Sequence, residues 1–150
     1  MQPTYDVHLI FNSRDASLIK PIDAALRARG LNPWYWERDI VGGDVTEVEE
    51  SSIRSTPVCA IFLGSEGWGP FHARYARMAL ELGRPIVPVL LPDCPPEALE
   101  AEDGLFRRLT SAWARLRSVE DAAELNALAQ RIVDAAYESP AAAGKQPNGP

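Results

Sequence analysis

An α/β fold is predicted, a five-stranded parallel sheet with helices on both faces. Three observations predict it. Apolar, β-rich runs alternate along the chain with amphipathic helical stretches, joined by short connections. The run Pro57–Leu63 (Pro-Val-Cys-Ala-Ile-Phe-Leu) is almost wholly apolar, as a strand covered on both faces of a parallel sheet should be. Glycine stops the first and third helical stretches at Gly30 and Gly83.

Taken in order, residues 5–11 (Tyr-Asp-Val-His-Leu-Ile-Phe) form a buried first strand. Asp15 is placed to cap a helix running to about Arg29, with Leu18, Ile19, Ile22 and Leu26 on one face. Pro21 falls in or near its first turn, with a bend possible there. A short second strand is expected around Asn32–Trp36, with one side of Trp34, Tyr35 and Trp36 packed. The charged, glycine-containing loop Glu37–Gly43 then leads to Asp44-Val-Thr-Glu47, a capping-box pattern that opens a second helix. After the third strand at Pro57–Leu63, Pro70 suits the first turn of a helix over 70–82. Ile86–Leu91 is the fourth strand, and Pro88 within it points to an edge or a local break in the ladder. Residues 92–110 are proline-rich, then weakly helical. Residues 112–116 make a last short strand, and Ser118 caps a final helix with the stripe Leu125, Leu128, Ile132 and Ala136. From Ser139 the composition is that of a linker. Residues 1–138 therefore read as the domain, and 139–150 as a disordered linker or tail leading to further domains beyond Pro150.

Composition narrows the function. The chain has 150 residues, enough for one domain with a sizeable core, and its 46% hydrophobic and 24% charged content is ordinary for a globular protein. A formal charge of −6 argues against direct nucleic-acid binding. No apolar run approaches the roughly 18 residues of a membrane span, and the N-terminus lacks a signal layout. Cys59 and Cys94 supply neither a disulfide framework nor a metal site, so a reduced, cytoplasmic setting is expected without membrane, metal or resident cofactor. Several doubly wound classes are excluded by their missing marks. There is no Gly-x-Gly-x-x-Gly, no Gly-x-x-x-x-Gly-Lys-Ser/Thr, no aspartate ending the third strand, and no Gly-x-Ser-x-Gly. His8 and His72 lack a nucleophile or ligand partner at close spacing, and His8 in a buried strand reads as structural.

Five strands of this size favour the flavodoxin-like order, in which ligands sit at the switch point between the first and third strands. The loops there are Asn12-Ser13-Arg14-Asp15 and Gly64-Ser65-Glu66-Gly67-Trp68-Gly69. Topology locates the cleft and leaves its chemistry open.

Four segments, in this order and spacing, resemble the Toll/interleukin-1 receptor (TIR) domain family. They are Tyr5–Asp15, Trp36–Asp44, Val58–Gly64 followed by Gly67-Trp-Gly-Pro70, and Gly83–Leu91. The Gly-Trp-Gly-Pro form is similar to that of bacterial members acting in antiphage defence. The resemblance covers residues 5–91 well and the remainder loosely. It implies a signalling module that either consumes NAD or assembles with other TIR domains. Active members place a glutamate four residues after a tryptophan on the third helix. There it stabilises the oxocarbenium-like transition state as the N-glycosidic bond to nicotinamide breaks.

Counted back from Gly83, the tryptophan position is Phe71 and the glutamate position is Tyr75. A phenol of pKa about 10 supplies no negative charge at neutral pH. Losing an electrostatic contribution of roughly 3–4 kcal/mol slows cleavage by about 10²–10³. Glu81 lies on a different face of the helix, whereas Glu66, in the loop before it, can reach the cleft and is the better replacement acid. Glu37 and Asp39 are weaker candidates. Ser13, Arg14, Trp68 and Phe71 are expected to line a substrate pocket. Glu37, Asp39, Gly42, Gly43 and Asp44 are expected to form the contact surface for other TIR domains. Each residue also has a plain reading: Phe71, Tyr75, Met78 and Leu82 fall at helical spacing and form a packing stripe, and Arg74 and Arg77 a solvated face. Three functions stay open: assembly with weak or no NAD hydrolysis, NAD cleavage by a displaced acid, and nucleotide sensing without turnover.

Overall fold

The computed structural model describes residues 5–35, 51, 53–69, 72–109 and 113–138. The strands are β1 (Val7–Ile10), β2 (Pro33–Trp34), β3 (Val58–Leu63), β4 (Ile86–Leu90) and β5 (Ala114–Arg115). The helices are α1 (Ala16–Ala28), α2 (His72–Glu81), α3 (Ala101–Leu109) and α4 (Ala122–Glu138). Three-residue and four-residue 3-10 turns occur at Ser13–Asp15 and Pro96–Leu99, and residues 51 and 53–55 are helical. All strand pairs are parallel, in the order β2-β1-β3-β4-β5. This is the flavodoxin-like α/β sheet that the alternation predicts.

Period-2 alternation divides the sheet's side chains between two cores. Val58, Ala60 and Phe62 of β3, with Val7, Leu9, Val87 and Val89, pack against Ile19, Ile22 and Leu26 of α1 and Leu128, Ile132 and Ala136 of α4. Cys59, Ile61 and Leu63 face the other way, joining Ile10, Ile53, Ile86 and Leu90. There they meet Ala73, Tyr75, Ala76 and Ala79 of α2 and Leu105, Phe106 and Leu109 of α3. All six β3 residues are buried, as befits the central strand.

The helix stops are glycines in the left-handed region. Gly30 has φ 84° and Gly83 has φ 70°, and the amides that follow them, Leu31 and Arg84, bond back to Leu26 and Ala79 at 3.1 and 3.0 Å.

Several expectations are corrected. Pro21 sits inside α1, beyond its first turn. Pro88 does not mark an edge strand, because β4 pairs with β3 and β5. Cys59 N–H donates to Pro85 O at 3.0 Å and Leu91 N–H to Leu63 O at 2.9 Å. Residues 87, 89 and 91 therefore turn their amides to β3, and Pro88 turns its nitrogen toward β5. The β5 ladder begins only at Val89, so the proline is a local break that shortens β5. Ser118 is not the cap of α4. Its Oγ accepts from Glu120 N–H at 3.1 Å, while Asp121 Oδ1 accepts from Glu124 N–H at 3.1 Å and does the capping.

The segment 92–110 holds a feature that composition conceals. Glu102, Asp103 and Gly104 have φ of 57°, 57° and 71°, so the start of α3 winds left-handed. Each non-glycine there costs roughly 1–2 kcal/mol. Arg107 grips Glu100 at 2.7 Å across the turn, and Glu102 pairs with Arg77 of α2 at 3.2 Å.

Candidate functional site

The switch point between β1 and β3 is built by two loops. After Ile10 the chain turns at Asn12, whose carbonyl accepts Asp15 N–H at 2.8 Å and whose Oδ1 accepts Arg14 N–H at 3.0 Å. After Leu63, Gly67 N–H closes back on Gly64 O at 2.9 Å, and Gly67 takes φ 63°. An ion pair joins the loops: Arg14 Nη1 lies 3.0 Å from Glu66 Oε1, with the side chains 74% and 49% exposed.

Beneath that pair lies a carboxylate that sequence reasoning assigned to helix capping. Asp15 occupies the N-cap position of α1 but makes no side-chain capping bond. Its backbone (φ −95°, ψ 6°) continues the 3-10 turn instead of taking the extended conformation of a capping residue, and Asn12 Oδ1 serves the Arg14 amide at the start of that turn. Its side chain turns inward instead, leaving Asp15 only 4% exposed with Oδ2 buried and unpartnered. Leaving such a group unsatisfied costs about 1–3 kcal/mol, and more when charged. Burial raises the Asp15 carboxyl above its ordinary value, and the Glu66 charge raises it further.

The glycines opposite make room for this arrangement. A Cβ on Gly64 would stand 2.4 and 2.5 Å from the Asp15 carboxylate oxygens. A Cβ on Gly69 would stand 2.8 Å from His72 Nδ1 and 3.1 Å from Asn12 Nδ2. Neither glycine has a positive φ. Space, rather than backbone freedom, is what their missing side chains provide.

His72, also missed as a cleft residue, is 3% exposed and accepts Gly69 N–H on Nδ1 at 2.7 Å. Burial lowers its pKa to about 4, against a small opposing pull from the Phe62 backbone. The ring is therefore neutral at pH 7 with its Nδ1 lone pair occupied, and it braces the Gly69 turn. Trp68 donates its indole N–H to Ala98 O at 2.9 Å and meets the His72 ring edge-on at 6.3 Å. Cys94 lies past the end of β4. Burial pushes its thiol up, with Arg115 pulling it down and Asp15 adding to the rise. A buried, protonated thiol is a poor nucleophile.

The predicted residues are thus distributed as follows. Arg14 and Glu66 meet across the cleft loops, Trp68 lies on the second loop with its indole turned to Ala98 O and the second core, and Ser13 contributes backbone to the 3-10 turn. Tyr75 lies on α2, 4% exposed and packed in the second core. Phe71, Glu37, Asp39, Gly42, Gly43, Asp44 and the tail 139–150 fall outside the described residues. His8 is buried and stacks on Trp34 at 4.7 Å, a structural position. Among the described residues no group of His, Cys, Asp or Glu could hold a metal ion, and no helix is long and apolar enough to cross a membrane.

A doubly wound module with polar side chains gathered at its switch point is the class that fold and site define. This chain belongs to the TIR domain family, whose model matches residues 7–133. Among solved structures it is similar to a chain of the RPS4 and RRS1 TIR domain heterodimer (17% identity, 89% of this chain and 99% of that one, TM-score 0.65). It is similar also to the TIR domain of the Toll-related receptor TRR-2 from Hydra magnipapillata (16% identity, 87% and 99%, TM-score 0.65). A third is the CMP N-glycosidase BcmB of Clostridium botulinum (16% identity, 84% and 98%, TM-score 0.62). At these identities the likeness is one of fold. A search of curated proteins gives no match.

Proposed function

We propose that this chain is a cytoplasmic TIR signalling domain of a bacterial immune protein that acts by assembly with other TIR domains, with weak or no hydrolysis of NAD. The observation that carries this reading is Tyr75. It stands where the family resemblance places the catalytic glutamate, and its ring is buried among Ile61, Leu63 and the α2 alanines. A neutral phenol there supplies none of the charge that an oxocarbenium-like transition state draws on. NAD is then a ligand of the cleft rather than a substrate turned over in it. Family membership supports assembly, and one similar structure is itself a TIR heterodimer. The loop Glu37–Asp44 is the proposed contact surface, and residues 139–150 the proposed linker to further domains. Light scattering against concentration tests this: the mass should grow with concentration and fall back with Asp39→Lys. A constant monomer mass in both proteins contradicts it.

Glu66 favours a second reading. It lies on the cleft loop, paired to Arg14, and its charge is felt at Asp15. NAD glycohydrolase activity through this displaced acid would appear as nicotinamide release abolished by Glu66→Gln.

A further inference from the structure

We propose that residues 93–104 form a hinged strap that opens as one unit, and that the side chain of Trp68 is the clip that holds it shut. The strap links β4 to α3, and its opening does not depend on what the cleft binds.

Both ends of the strap place residues other than glycine in the left-handed region. Asp93 has φ 67° at one end, and Glu102 and Asp103 have φ 57° at the other. Among the described residues no other non-glycine takes a positive φ. Aspartate tolerates this region, whereas a glutamate there is disfavoured about five- to thirtyfold in population. Such outliers persist where the surroundings over-determine them, and they collect at switch segments. A few residues of this kind are enough to absorb the backbone rotation of a hinge.

The middle of the strap is fastened from the loop after β3. Trp68 Nε1–H reaches across and donates to Ala98 O at 2.9 Å. Ala98, 3% exposed, is seated against Gly67, where a Cβ would come to 3.6 Å from its methyl group. The amides of Ala98, Glu100 and Gly104 bond to Pro95, Glu97 and Glu100 carbonyls, so these bonds travel with the strap and do not anchor it to the sheet. At the second hinge Glu102 pairs with Arg77 of α2 at 3.2 Å, with side chains 41% and 43% exposed, a tie that solvent screens. The closed strap thus sets backbone strain against one indole hydrogen bond, one screened ion pair and the burial of Ala98. Opening relieves the strain and releases the Trp68 donor, which the closed strap occupies.

Hydrogen–deuterium exchange on the full chain tests this through the amides of Cys94, Ala98, Glu100 and Gly104, each bonded in the closed state. They should share one opening free energy, smaller than that of global unfolding. Leu91 N–H, bonded to Leu63 O in the sheet, should exchange far more slowly. Trp68→Phe keeps an aromatic ring and removes the donor. It should speed exchange at all of the strap amides by about three- to tenfold and leave Leu91 unchanged. Asp103→Gly relieves the hinge and should slow them, whereas Asp103→Ala should speed them, each by about two- to fivefold. Opposite signs at one position exclude general damage to the fold. Strap amides that respond separately or exchange only through global unfolding, or Asp103 variants that act in the same direction, overturn the hinged unit. Exchange unchanged in Trp68→Phe overturns the clip.

Discussion

Both carboxylate oxygens of Asp15 lie against the Cα of Gly64, 2.4 and 2.5 Å from where a side chain there would begin. The contact joins the turn that leads into α1 to the residue that follows β3, and makes the two positions interdependent. Gly64→Ala should destabilise the fold by about 1–3 kcal/mol, the usual cost of overpacking. With Asp15→Ala in the same chain most of that loss should disappear, since the clash is then relieved. Urea denaturation of the four proteins of the cycle measures the coupling; strictly additive losses would contradict the contact.

The pH dependence of stability has two opposed contributions. His72 has its folded pKa lowered to about 4 from 6.5. Its contribution is full above pH 6.5, shrinks as the unfolded chain takes up the proton, and is lost below about pH 4. The span corresponds to roughly 3 kcal/mol. Asp15 works the other way. Its folded pKa is raised above 3.8, so its penalty is absent below that pH and grows as pH rises through the folded value. His72→Gln should flatten the acid-side loss between pH 6.5 and 4, and Asp15→Asn should steepen it. Denaturation midpoints across that range read both slopes.

The ion pair that spans the cleft mouth should contribute little to stability. Arg14 and Glu66 are 74% and 49% exposed, and such pairs are worth about 0–1 kcal/mol. Arg14→Ala should leave the unfolding free energy within about 1 kcal/mol of wild type. A larger loss by chemical denaturation would mean the pair anchors the loops.

Two aromatic neighbours at the β5 end of the sheet should behave very differently. Phe106 is fully buried and Trp113 is 39% exposed, with their ring centroids 5.9 Å apart. Phe106→Ala should cost about 3–5 kcal/mol. Trp113→Ala should cost about 0.5–1.5 kcal/mol, mainly the lost ring contact. Thermal unfolding of both variants checks the contrast.

The fold was legible because its signals are local. Unbroken apolar runs marked β3 and β4, glycines marked the ends of α1 and α2, and the stripe Leu128, Ile132 and Ala136 marked the buried face of α4. The two edge strands are shorter than propensity suggests, two residues each; for β5 the reason is Pro88, which offers it no amide. The left-handed turn at Glu102–Gly104 carries no composition signal, since only one of its three residues is glycine. The cleft's position followed from strand order, and its loops are where topology put them. The direction of Asp15 did not follow. An aspartate between a strand and a helix reads equally well as a cap or as a buried acid, and only the empty space at Gly64 decides between them. His72 was hidden for a similar reason, since its partner is a backbone amide, Gly69 N–H, which no side-chain pattern reports.

Nicotinamide release from concentrated protein supplied with NAD tests the central claim most directly. On the proposed placement of Tyr75 at the position of the family's catalytic glutamate, turnover should lie at least about a hundredfold below that of a TIR domain carrying glutamate there. Steady turnover at the rate of such a domain, abolished by Glu66→Gln, would contradict the account.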